Sequence, residues 1–137
     1  MTYLVDTDYV ADYLGGMSWA QELLQAHAAQ GLSISLMTLG EIYEGIEYGR
    51  DPQAAERVFR TFLSGVTVLS FNRVIMRRFA HVRGALRRQG QLIGDPDILI
   101  AATALHHDLI LLTRNRRHFE QIPDLRLMPA TQEGRSG

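Results

Sequence analysis

The 137-residue chain contains neither cysteine nor lysine. Without cysteine there can be no disulfide, thiolate nucleophile, iron–sulfur cluster or cysteine-held zinc. Without lysine there is no Schiff-base chemistry and no phosphate-binding P-loop amine, and all 14 basic residues are arginine. No apolar run approaches the roughly 18 residues of a membrane span, and the N-terminal MTYLVDTD lacks the basic start and cleavage site of a signal peptide. A cytoplasmic protein with no membrane association is therefore expected. Neither sign of charge dominates: 15 acidic residues against 14 arginines give a formal net of -1, which excludes a histone-like polycation but leaves room for local basic patches. Repeats, low-complexity stretches and linkers are lacking as well, so residues 1–130 read as one domain. The polar stretch 131–137 reads as a disordered tail. What is plentiful is apolar material: 46% of residues are hydrophobic, enough to fill a real core.

Short β-prone segments alternate with helical patterns. Strands are expected at Tyr3–Val5, Leu32–Leu36, Val66–Ser70 and Leu109–Leu112, with an edge strand at Leu125–Leu127. Helices are expected from Ser18 to Ala29, from a Thr38 cap to about Tyr48, from Asp51-Pro52 onward, from near Asn72, and from Gly94-Asp95-Pro96 through Ala104. In the long helix after Asn72, Ile75, Phe79, Val82 and Leu86 share one stripe while Arg73, Arg77, Arg87 and Arg88 lie opposite. Strand–helix alternation predicts an α/β fold: a mostly parallel sheet of four to five strands with helices on both faces, a three-layer α/β/α arrangement.

Such sheets place their sites at the carboxyl ends of the strands. Asp6-Thr7-Asp8 follows the first strand, Thr38 and Glu41 the second, and Thr113-Arg114-Asn115 the fourth, while Asp95-Pro96-Asp97 opens the preceding helix. Separate crossovers thus deliver carboxylates and an amide to one rim. Each has an ordinary reading alone: Asp6 or Asp95 as a helix cap, Asp97 as complement to a helix dipole, Glu41 as a solvated acid beside Glu44 and Glu47. Together, converging carboxylates repel one another, and a divalent cation relieves the repulsion. An all-oxygen ligand set suits Mg2+ or Mn2+ rather than zinc or copper.

The segments LVDTD at 4–8, TLGEIYEG at 38–45, GDPDILIAATAL at 94–105 and LLTRNRRHF at 111–119 resemble a PIN domain, and within that superfamily VapC, the ribonuclease toxin of bacterial toxin–antitoxin pairs. The resemblance runs from residue 2 to about 128. It implies that Asp6, Glu41 and Asp97 bind the metal, with Asn115 at a fourth position where many relatives have aspartate and Asp95 near enough to contribute. It implies supporting or substrate-contacting hydroxyls at Thr7 and Thr113, and hydrolysis of RNA by a metal-bound water. Histidines are not required; His81, His106, His107 and His118 read as surface or packing residues. Arg114, Arg116, Arg117 and His118 lie beside the rim and are candidates for holding flanking phosphates, or else a solvated basic loop. The resemblance also implies a homodimer and inhibition by a cognate VapB-like antitoxin, with the apolar residues of the helices at Thr38–Tyr48 and Asp51–Ser64 available for such contacts.

Two other readings remain open from the sequence. Asp6-Thr7-Asp8 matches the D-x-D of haloacid-dehalogenase-like phosphatases, with Asp6 as nucleophile, although those enzymes normally need a lysine. A PIN-like scaffold that binds RNA or protein without cutting is the third, and cleavage of DNA is also compatible with the residues.

Overall fold

The structure, a computed structural model, describes residues 1–129; the tail expected at 131–137 lies outside them. Five strands form one parallel sheet: β1 (Tyr3–Val5), β2 (Leu32–Ser35), β3 (Thr67–Leu69), β4 (Ile110–Leu112) and β5 (Arg126–Leu127), in the order β3-β2-β1-β4-β5. Every pairing is parallel, with Tyr3 opposite both Leu32 and Ile110. The expected mostly parallel sheet is thus wholly parallel, and the expected edge strand is at the edge. The chain builds outward from β1 through β2 to β3, then returns to lay β4 on the other side of β1. The crevice at the carboxyl ends of β1 and β4 is therefore the switch point, where open α/β sheets bind ligands.

Among the described residues seven α-helices cover the sheet: α1 (Thr7–Leu14), α2 (Ser18–His27), α3 (Leu36–Glu47), α4 (Pro52–Leu63), α5 (Arg73–Arg88), α6 (Asp95–His107) and α7 (Arg116–Phe119). Alternation along β1 divides the core in two. Tyr3 and Val5 pack with Val10, Leu24, Ile34, Phe59 and Phe62 on the α1–α4 face, whereas Leu4 packs with Val82, Leu86, Ile98, Ala101 and Leu111 on the α5–α6 face. Of the α5 stripe, Ile75, Val82 and Leu86 are buried and Phe79 packs partly buried against the same core. Helix α6 is buried on most sides, at Ile98, Ile100, Ala101, Ala102, Thr103 and Ala104, which makes it the central prop of its layer. No helix among the described residues is long and apolar enough to cross a membrane.

Several boundaries depart from the sequence reading, each for a local reason. Ser35, not Thr38, caps α3: its Oγ accepts from Thr38 N at 3.1 Å, so the strand ends at 35 and Leu36 begins the helix. That releases the Thr38 hydroxyl for another use. Gly94, not Asp95, is at the cap position of α6, and Asp95 lies in its first turn. Met17 precedes α2, so Ser18 is a first-turn residue and not a cap. Helix α1 does follow β1 with Asp6 as its cap, whereas α7, too short for a clear apolar period, was not expected. Asp51 and Asn72 do cap α4 and α5, accepting from Ala54 N and Ile75 N. Gly31 turns the chain into β2 at φ 91°, beneath Met1, whose Cα would stand 2.8 Å from any Cβ there.

Candidate active site at the switch point

Asp6 follows β1 directly and is the N-cap of α1. Its Oδ1 accepts from Thr7 N at 2.8 Å, and its Oδ2 accepts from Thr113 Oγ1, just past β4, at 2.7 Å. The bond to Thr113 ties the two strand ends across the switch point. Asp6 is only 4% exposed, a placement rare for an ionised side chain. Burial first, then the neighbouring Asp8, push its pKa from the ordinary 3.8 up to about 7; Asp97 adds in the same direction, against the two hydrogen bonds. Asp8 sits beside it, accepting from Tyr9 N at 2.7 Å and from Arg114 N at 3.1 Å, and burial also raises its carboxyl.

Glu41 reaches the crevice from α3. Its Oε1 accepts from Thr7 Oγ1 at 2.6 Å, and Thr7 Oγ1 lies 3.0 Å from Thr38 Oγ1. A hydroxyl has one proton, and that of Thr7 goes to the carboxylate, so Thr38 donates to Thr7. Thr38 is fully buried, and the relay Thr38–Thr7–Glu41 fixes the carboxylate on the rim.

Asp97, in the first turn of α6, meets α7. Its Oδ2 stands 2.7 Å from His118 Nδ1, and the same nitrogen is 2.8 Å from the Asn115 amide. A carboxylate only accepts, so His118 Nδ1 carries the proton. The half-turn of Asn115 that brings its oxygen to that proton satisfies both contacts. Asn115 N in turn donates to Thr113 Oγ1 at 2.9 Å, which joins this group to Asp6.

The structure thus brings Asp6, Thr7, Thr113, Asp97 and Asn115 to one rim, with Glu41 joined through Thr7. Asp95 turns away, its Oδ1 bonded to Arg83 Nε at 2.9 Å. Arg114 is held by Asp12 at 2.8 Å and lies over Trp19, with its Cζ 4.8 Å from the ring centroid. Arg116 is engaged by Met128 O and lies 3.9 Å from Glu120. One residue escaped the sequence reading, Asp8, whose repulsion of Asp6 follows from the D-x-D spacing; His118, expected beside the rim as a candidate to hold phosphate, is turned by α7 onto Asp97 instead.

The donor chemistry fits a hard divalent cation. The converging groups are oxygens, and burial first, with Asp8 and Asp97 beside it, opposes the ionised form of Asp6, a cost that a bound cation would offset. Among the described residues, no three His, Asp or Glu side chains are already grouped as a ligand set around one point.

Comparison with known proteins identifies the family. A family model of the PIN domain matches residues 3–125. Ribonuclease VapC2 of Haemophilus influenzae is 37% identical over 95 residues, covering 69% of this chain and 72% of the relative. The tRNA(fMet)-specific endonuclease VapC of Shigella flexneri is 34% identical over the same length, with the same coverage. Among solved structures, VapBC2 from Rickettsia felis, bound to a DNA fragment from its promoter, superposes with a TM-score of 0.87 at 25% identity, covering 93% of this chain and 98% of that one. The chain belongs to the PIN domain family and, within it, to the VapC ribonucleases.

Proposed function

We propose that the protein is a divalent-metal-dependent endoribonuclease, the toxin of a toxin–antitoxin pair, held inactive by a cognate antitoxin. The observation that carries the reading is Asp6: a buried carboxyl at the switch point, tied across it to Thr113 and set beside Asp8 and Asp97, so that burial first and these charges next oppose its ionisation. A protein gains nothing in stability from such a cluster, so its rationale lies in what it binds. Asp6, Asp97 and Glu41 would hold Mg2+ or Mn2+, which when bound polarises the phosphodiester and lowers the pKa of water.

The chain's own residues do the positioning. Thr113 and Thr7 N hold both oxygens of Asp6, and the Thr38–Thr7 pair aims Glu41. His118 fixes the rotamer of Asp97, a common role for a neighbour of a ligating carboxylate. Asn115 contributes an amide where a fourth carboxylate would add charge, which favours one firmly held cation over two. Arg117, exposed and without an acidic partner among the described residues, is the rim arginine best placed to meet phosphate.

The antitoxin's seat is the groove of about 430 Å³ between α1, α3 and α4, lined by Ala11, Ile42, Gly45, Ile46, Ala55 and Val58. This groove also includes Thr7 and Glu41, so an occupant lying in it would reach the acidic crevice and could place a cationic side chain there. A homodimer in the bacterial cytoplasm completes the reading. The phosphatase alternative is not sustained by membership of the PIN family or by the absence of lysine.

The test is cleavage of labelled bacterial RNA by antitoxin-free protein in Mn2+ or Mg2+, with EDTA and Asp97→Asn controls. Cutting that needs the ion and disappears in the variant is expected. Cutting that survives Asp97→Asn would place the chemistry elsewhere, and binding without cutting by the metal-loaded wild type would favour the scaffold reading.

A further inference from the structure

The net charge conceals a division. Residues 1–60 hold nine acidic side chains and three arginines, whereas residues 61–129 hold five acidic side chains and ten arginines. Much of the second group lies on one helix. Helix α5 carries Arg73, Arg77, Arg78, Arg83, Arg87 and Arg88 and no acidic residue. Arg83 is bonded to Asp95. Among the described residues, the other five have no acidic partner, and all five are exposed. The rim arginines differ: Arg114 is committed to Asp12, and Arg116 to Met128 O and Glu120.

A solvated helix face ordinarily mixes its signs, because like charges at i,i+4, as at Arg73–Arg77 and Arg83–Arg87, destabilise a helix. A face of one sign is understandable where a polyanion covers it. Its position suits such a role. The Arg83–Asp95 pair fixes α5 against the first turn of α6, two residues before Asp97. The Arg83–Asp95 contact therefore sets the middle of α5 beside the end of α6 that carries Asp97. Farther from the rim, Arg78 and His81 of α5 and Gln89 just after it line a small cleft with Leu105 in the last turn of α6 and with Gln121, Pro123 and Asp124. A substrate phosphate drawn to the crevice meets repulsion from Asp6, Asp8 and Asp97, so the pull that brings RNA in must come from nearby.

We propose that the arginine face of α5 is the track that holds the RNA backbone alongside the acidic crevice. This rests on the nuclease reading and names the surface by which that activity takes its substrate. Arginines that meet successive phosphates carry no sequence information; they set affinity and its dependence on salt.

The experiment uses the full chain with Asp97→Asn, so that RNA is bound and not cut, and a fluorescent single-stranded RNA of about twenty nucleotides titrated between 50 and 300 mM salt. The comparison is R77Q/R78Q/R87Q/R88Q. At 0.15 M salt its affinity is expected to fall at least tenfold, and the slope of log affinity against log salt to shrink by about 2–3, near 0.7 for each phosphate no longer neutralised. Circular dichroism checks its fold, and R87Q/R88Q serves if the fourfold variant is unstable. R57Q/R60Q on α4 removes charge from another exposed face and is expected to change the slope little. An unchanged slope in the α5 variants, or an equal change in R57Q/R60Q, overturns the track. Failure of the nuclease reading shows separately, as a wild-type protein that binds this RNA and leaves it intact in Mn2+.

Discussion

Replacing Asp6 by asparagine should make the metal-free protein more stable while abolishing its activity. In the folded chain the Asp6 carboxyl titrates at about 7 against an ordinary 3.8. Between those values the folded state binds the extra proton, so stability is full below about pH 4 and declines as the pH rises through 7. At about 1.4 kcal/mol for each pH unit of that window, the ionised carboxylate costs the fold on the order of 4 kcal/mol at pH 8.5. Asparagine removes this cost and can still accept from Thr7 N, but its amide faces Thr113 Oγ1 and forces that hydroxyl to reverse, at about 1 kcal/mol. The net gain is about 2–3 kcal/mol at pH 8.5, or roughly 8 °C in melting temperature for a chain of this size. At pH 5 the wild-type carboxyl is mostly protonated and the gain should shrink to about 1 kcal/mol or less. Thermal unfolding in EDTA at the two pH values measures the difference directly. Equal shifts at pH 5 and 8.5 would refute the assignment of charge strain to Asp6. Adding Mn2+ at pH 8.5 should raise the wild-type midpoint and leave that of Asp6→Asn nearly unmoved.

Three further outcomes follow from the geometry. Asn115→Asp adds a carboxylate beside His118 and the crevice; isothermal titration should show Mn2+ bound about tenfold more tightly, and weaker binding would remove position 115 from the site. Gly45→Ala fills open space on α3 and should stabilise the chain by about 1 kcal/mol. Because Gly45 lines the α3–α4 groove, the same change should weaken antitoxin binding, and an unaltered affinity in a pull-down titration would place the antitoxin elsewhere. Phe59→Ala removes a fully buried ring packed 5.3 Å from Tyr43 and 6.2 Å from Phe62; urea unfolding should register a destabilisation of about 3–5 kcal/mol.

The sheet and its helices were readable because their signals are local. Strand–helix alternation, the Asp51-Pro52 start of α4 and the Asn72 cap of α5 each depend on a few neighbouring residues. The rim was readable because a parallel sheet sends all its strand ends to one side, so residues after β1, β2 and β4 had to gather. What stayed hidden were interactions chosen by packing. Ser35 displaced Thr38 as cap because strand β2 ends one residue early, and only then did Thr38 become available to Thr7. Asp95 could as well have entered the crevice, but α5 carries Arg83 to it. His118 looked like a surface residue because one four-residue turn, α7, turns it onto Asp97.

The Asp6–Thr113 bond spans 107 positions of sequence, since the central strand comes first and its partner β4 nearly last. During synthesis at about 5–20 residues per second, the interval between the two ends of that bond is on the order of 5–20 s. A growing chain thus carries Asp6 and Glu41 long before it carries the residues that would make them dangerous. The ribosome that produces this nuclease is exposed to an inert polypeptide until the last strands arrive, and an antitoxin seated as proposed in the α3–α4 groove would have the later half of that interval, after α4 is made, in which to find it.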